Sequence, residues 1–209
     1  VQSPGGQPRQ IAVVTKIDRD RYAQDFAREK RTHRFLESAD KDVFIWNAPS
    51  FRADPSWLRQ ITARLPKYKS VVLDLRGNPG GREDTLLGLL GAVLDHDVKV
   101  AERRGRGKSK KPVIAKTLGE KAFKGKVVVV VDGDSASSAE LFARVIQLEK
   151  RGVVIGERTA GAVMEGHIYR REMGAENAVF YGLIITESDL IMSDGLSLAM
   201  AKAFCAARL

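Results

Sequence analysis

Two places in the chain combine reactive side chains with the backbone geometry that could use them, and in both an apolar run ends in a turn. The first reads Asp74-Leu75-Arg76-Gly77-Asn78-Pro79-Gly80-Gly81, and the second Asp132-Gly133-Asp134-Ser135-Ala136-Ser137-Ser138-Ala139-Glu140. A serine between a strand and a helix exposes its hydroxyl. The N–H that follows it lies at a helix N-terminus, where donors lack partners and the dipole favours negative charge. That arrangement suits a nucleophile that attacks a carbonyl, with the developing oxyanion held beside it. Ser137 is the candidate nucleophile and Ser138 N–H the first oxyanion donor. A Gly-Gly turn on a neighbouring strand can bring a second donor, from Gly80 or Gly81, because glycine lets backbone approach a substrate closely. The same residues also have a purely structural reading. Ser137-x-x-Glu140 is a capping box, and Asn-Pro-Gly-Gly is an ordinary tight turn. The two readings are compatible, since a nucleophile can occupy a cap position.

Elements that alternate between strand and helix must carry these turns. Asp42 to Ala48, Ser70 to Leu75 and Lys126 to Asp132 are apolar runs of strand length. Asp54-Pro55 starts a helix through Leu65, with Asp54 as N-cap and Pro55 in the first turn. Further helices are expected over 21–38, 86–94, 137–150 and 196–207. Strands are expected over 11–17, 97–102, 152–156, 163–171 and 178–186. Strands that are apolar on both faces and alternate with helices imply an α/β fold with a mainly parallel sheet under helices, plus C-terminal strands. In such sheets, sites gather at the carboxyl ends of strands, where both turns lie.

Composition narrows the classes. The 209 residues are 44% hydrophobic and 29% charged, as in a globular domain, and no run reaches the roughly 20 apolar residues of a membrane-spanning helix. One cysteine, Cys205, excludes an internal disulfide and a thiolate zinc cluster, and no His/Asp/Glu group has metal-ligand spacing, so neither a metal nor another cofactor is expected. The net charge of +9 is local. Residues 103–126 carry ten lysines or arginines against one acid, Glu120, which accounts for the whole excess. Without interleaved aromatics this segment reads as a solvated loop rather than a nucleic-acid surface, and attraction to acidic substrates or a membrane surface is the softer expectation.

The runs VVLDLRGNPGG, VVVVVDGDSASSAELFARVIQ and GVVIGERTAG resemble, in order and spacing, the glycine-rich, nucleophile and following-turn motifs of the tail-specific (C-terminal-processing) serine peptidases. The resemblance covers about residues 42–163. It implies a ClpP/crotonase-like superhelix of strand–strand–helix units, a polypeptide substrate, and a nucleophile three residues before the motif glutamate, which is Ser137. Residues 1–20 would be a lead-in, the end of an upstream PDZ-like domain, and 21–209 the protease core. Related enzymes are commonly exported in bacteria, so the resemblance also implies the cell envelope or periplasm.

The departures concern the proton acceptor. One branch of the family uses a lysine directly after the Glu-x-Thr-x-Gly turn, where this chain has Ala162, and Arg158 cannot replace it because arginine stays charged. The tricorn-like branch, which GERTAGA resembles more closely, takes a histidine from upstream of the PDZ-like insert and a glutamate near the C-terminus. That glutamate would fall near Ala199, so the C-terminus reads as truncated or altered. Of the internal histidines, His33, His96 and His167, the last follows the relevant turn and is the candidate base within the chain. A serine endopeptidase is therefore the leading reading. A non-catalytic module binding a hydrophobic ligand or peptide on the same fold is the alternative.

Overall fold

The computed structural model describes residues 33–40, 42–105, 111–173 and 179–197. Twelve elements run in chain order: β1 (Arg34–Glu37), β2 (Val43–Asn47), α1 (Pro55–Thr62), β3 (Ser70–Asp74), α2 (Glu83–Val93), β4 (Val98–Gly105), β5 (Val113–Ala115), β6 (Lys126–Val131), α3 (Ser138–Leu148), β7 (Val153–Gly156), β8 (Glu165–Met173) and β9 (Val179–Ile191). They form two sheets. One has the order β1-β2-β3-β6-β7, parallel except for the antiparallel β1–β2 pair. The other has the order β5-β4-β9-β8 and is antiparallel throughout. The α/β class, the mainly parallel sheet and the C-terminal strands are as the sequence indicates.

The parallel sheet follows from its valines. In β3 and β6 alternate residues, Val71, Leu73, Val127, Val129 and Val131, are buried, as period-2 side chains on one face must be. The other face, with Val72, Val128 and Val130, is half-buried rather than sealed, so apolar runs on both faces do not mean equal cover on both faces. Aromatic rings extend the core at the β1 side. Phe35, Phe44, Trp46 and Tyr68 contact one another in sequence across β1, β2 and the turn before β3.

Local signals set the helix starts. Asp54 accepts hydrogen bonds from Ser56 N–H (2.8 Å) and Trp57 N–H (3.3 Å), with Pro55 opening α1. Glu83 and Asp84 place negative charge in the first turn of α2.

Several expected elements differ. The helix expected over 21–38 is a strand where it is described. β1 pairs antiparallel with β2, Arg34 opposite Asn47 through Glu37 opposite Phe44, with Phe35 turned inward and Leu36 66% exposed. Helix α1 ends at Thr62, and Leu65 packs from a short 3-10 turn over Leu65–Lys67. The basic segment is not a loop throughout. It contains the end of β4 and all of β5, and it buries Val113, Ala115 and Phe123. The strand expected over 11–17 lies outside the described residues, as do Cys205 and nearly all of the helix expected over 196–207. Within that last span Ser197 bridges back to Ile191.

Candidate active site

Parallel register brings the two motif turns side by side. β3 and β6 pair from Ser70 with Lys126 to Asp74 with Val130, so their carboxyl ends finish together. Buried polar groups then join the turns. Ser135, fully buried, donates its hydroxyl to Leu75 C=O (2.8 Å) and accepts Asp132 N–H (2.9 Å). The Asp132 carboxylate accepts Gly77 N–H (2.9 Å) across the gap between strands. Asn78, also fully buried, donates to Ala48 C=O (2.7 Å), accepts Gly80 N–H (2.8 Å) on its side chain and accepts Ala136 N–H (2.9 Å) on its carbonyl. The Gly77–Asp132 bond is exposed, whereas the bonds of Asn78 and Ser135 satisfy buried groups that would each cost about 1–3 kcal/mol if left unpaired, and these hold the two turns together. Asp74 holds Arg76 in a two-point pair (2.9 and 2.8 Å), which, with an Arg76 N–H bond, keeps the Asp74 carboxyl below its ordinary range.

Ser137 sits at the N-cap of α3 with φ 55° and ψ −121°, a conformation that side chains other than glycine rarely adopt. Such strain costs about 1–3 kcal/mol and persists only where surroundings enforce it. Two constraints enforce it here. Glu140 Oε2 accepts Ser137 N–H (3.0 Å). Gly80 lies against the other side: a Cβ on Gly80 (φ 88°) would come within 2.6 Å of Ser137 Cβ and 2.8 Å of Ser138 N. Ser137 and Glu140 form a capping box in both directions: the Glu140 carboxylate accepts Ser137 N–H, and the Ser137 hydroxyl faces Glu140 N–H in looser geometry. Ser137 is half-buried at the edge of a cleft of about 400 Å³ that Gly81 and Ser138 also line.

The three backbone donors expected here differ in availability. Gly80 N–H is committed to Asn78. Ser138 N–H and Gly81 N–H make no hydrogen bond among the described residues, although Gly81 C=O accepts the Ser138 hydroxyl (3.2 Å). Gly81 is itself fixed, since a Cβ there would meet Phe51 carbonyl carbon at 2.4 Å.

Glu140 does more than cap. Fully buried, it also accepts Gly161 N–H (2.7 Å) and Ala162 N–H (2.9 Å), so one carboxylate ties the nucleophile turn to the turn after β7. The capping motif announces its first bond; nothing in the sequence announces the other two. Ala162 itself is exposed.

The histidines stand elsewhere. His33 is buried among aromatics, accepting Trp46 Nε1–H on Nδ1 (3.1 Å) with the Trp57 ring 4.6 Å away, and burial lowers its pKa to about 4. His96 is exposed between Asp95 and Glu149, whose bonds, Asp95 first, raise its pKa. His167 is exposed on β8, its ring 4.8 Å from that of Tyr169, and does not line the cleft. Among the described residues no group of three or more His, Cys, Asp or Glu is placed to hold a metal ion. The cleft also contains Arg103, which sequence reasoning assigned to a solvated basic run. No sequence signal separates it from its neighbours.

Comparison with known proteins bears on the family and the fold. The family described as peptidase family S41 matches residues 45–185. A carboxy-terminal-processing protease of Bartonella bacilliformis is 31% identical over 106 residues, 50% of this chain and 24% of that protein. A tail-specific protease of Haemophilus influenzae is 27% identical over 160 residues, 75% of this chain and 22% of that protein. The solved photosystem II D1 C-terminal processing protease superposes with a TM-score of 0.62 at 18% identity, over 85% of this chain and 47% of that one. The chain thus spans about a quarter of the length of the curated relatives it matches.

Proposed function

The chain belongs to peptidase family S41, and from that premise we propose that it is the catalytic core of a serine endopeptidase acting on polypeptides, with Ser137 as nucleophile. The observation that carries this reading is the positive-φ Ser137 between two uncommitted backbone donors at a cleft. Ser137 Oγ attacks the scissile carbonyl and gives its proton to a base. The oxyanion is held by Ser138 N–H and Gly81 N–H, Gly81 being preferred to Gly80 because the Gly80 donor is already used. The base then protonates the leaving amine, and water releases the acyl group by the reverse sequence.

The base comes from outside the described residues, and a histidine fits the chemistry. Two features support this: alanine occupies position 162, and His167 lies against Tyr169 rather than in the cleft. The finer fold reading, a ClpP/crotonase-like superhelix with residues 1–20 closing a PDZ-like domain and 21–209 forming the core, belongs to the same proposal. So does a cell-envelope location, in keeping with bacterial relatives named for carboxyl-terminal processing. No described helix is long and apolar enough to cross a membrane. The basic residues of 103–126 that are exposed, among them Arg104, Lys111 and Lys121, would draw acidic substrates or a membrane surface. The curated relatives named here are proteases, and no observation favours the binding-module alternative.

The test is labelling with a fluorophosphonate probe, with mass spectrometry to locate the adduct. An adduct on Ser137 that disappears in Ser137→Ala is the expected result. A folded chain that stays unlabelled, alone and after addition of the upstream region, would overturn the reading.

A further inference from the structure

The segment that leaves β2 runs along the glycine turn and is joined to it at three points. Ala48 C=O accepts the Asn78 side chain (2.7 Å), Phe51 pairs with Gly81 in an isolated parallel bridge, and Ala53 C=O accepts the Thr85 hydroxyl (2.9 Å). The middle contact uses both backbone groups of Phe51. Its N–H donates to Gly80 C=O (2.9 Å), and its C=O accepts Arg82 N–H (2.7 Å). The Phe51 ring is buried and meets Phe142 of α3 edge-on, with centroids 6.1 Å apart. Phe142 lies about one turn past Ser138, so the ring braces this segment against the helix that opens at Ser137.

This bridge fixes the direction of the amide between Gly80 and Gly81. Among the described residues no peptide bond is cis, and in a trans peptide the C=O and N–H point to opposite sides. Arg82 N–H points to Phe51, and on the far side of that peptide Gly81 C=O accepts the Ser138 hydroxyl (3.2 Å). Gly80 C=O also points to Phe51, so Gly81 N–H leaves on the far side as well, the side of Ser138. It meets no acceptor among the described residues, and Gly81, Ser137 and Ser138 all line the cleft.

We propose that Phe51 is a positioning residue for the reaction: its backbone, bonded on both sides of Gly81, aims the Gly81 N–H at the place where an oxyanion forms on a carbonyl attacked by Ser137. The proposal rests on the reading of Ser137 as nucleophile. Phe51 touches no reacting atom and acts only through Gly81. A donor held in this way needs no reorientation as charge develops, which is the condition for strong oxyanion stabilisation.

The test replaces Phe51 by phenyllactate, its hydroxy-acid analogue, in the full chain. The ring stays and the Phe51 N–H becomes an ester oxygen, so the hydrogen bond to Gly80 C=O is removed. Orientation is read from the N–H residual dipolar coupling of Gly81, and reactivity from the rate of fluorophosphonate labelling at saturating probe. The Gly81 coupling is expected to move from its parent value, and labelling to slow by about tenfold, short of the roughly 100-fold that complete loss of an oxyanion donor costs. The probe concentration for half-maximal rate should stay as in the parent. Phe51→Leu is the packing control. It keeps both backbone bonds, so it should lower the urea midpoint and leave the coupling and the labelling rate near parent values. An unchanged Gly81 coupling in a phenyllactate chain that is folded by circular dichroism would overturn the proposal. So would a moved coupling with labelling at the parent rate, or equal slowing by Phe51→Leu. A parent chain that stays unlabelled, alone and with the upstream region, sinks the peptidase reading and the catalytic role with it, and the coupling by itself then decides whether Phe51 orients the amide.

Discussion

In the five-stranded sheet the turns after β3 and β6 share buried Asn78 and Ser135 and half-buried Asp132 between them, and every one of those side chains is hydrogen-bonded. In the four-stranded sheet, among the described residues, the far part of the β8–β9 ribbon pairs only with itself, because β4 meets β9 over residues 188–191. There Leu183, Ile184 and Ile185 are exposed, Ile184 by 75%. The first region spends buried polar groups on fixing one arrangement of backbone. The second carries apolar groups that fix little. Precise placement of a reacting atom is expected in the first, and tolerance to change in the second.

That contrast can be broken by experiment. The largest effect is expected for Ser137→Ala, with complete loss of probe labelling and native circular dichroism. Gly80→Ala should slow labelling by about 100-fold, because a methyl group would strike Ser137 and Ser138 and the positive φ adds strain. If labelling survives, Gly80 does not shape the site. Glu140→Gln should lower unfolding free energy in urea by about 3 kcal/mol, since an amide offers one acceptor where three backbone N–H groups converge. A change under 1 kcal/mol would mean that the two turns are not held through this carboxylate.

A pH effect of similar size tests the aromatic end of the same sheet. His33 is disfavoured as a cation when folded, so the unfolded chain binds the extra proton between its ordinary pKa of 6.5 and about 4. Its contribution is complete above pH 6.5, is lost as pH falls through that window, and totals at most about 3 kcal/mol. His33→Phe should flatten the urea-unfolding profile over that range. The smallest effect is expected in the ribbon, where Ile184→Ser should change stability by less than about 0.5 kcal/mol.

The same contrast governed what could be read from the sequence. The valines of β6, the Asp54-Pro55 start of α1 and the two turns, one glycine-rich at 76–81 and one serine-rich at 132–138, carry their structure in local pattern, so the parallel sheet and the place of Ser137 at the start of α3 were legible. Strand β1 was not, because Phe35-Leu36 fits a loose helical stripe as well as a strand, and only its pairing with β2 decides between them. The inward turn of Arg103 and the second and third bonds of Glu140 depend on partners about 20 to 60 residues away in sequence. No local rule encodes such distances.

The hold on position 162 has an evolutionary consequence. Glu140 grips that residue by its N–H alone, and the side chain points to the exposed surface. The scaffold therefore does not record which residue stands there, and drift at this codon carries little folding penalty. Position 162 is an interchangeable socket, in which one side chain can replace another while the hydrogen bonds that join the two turns stay as they are.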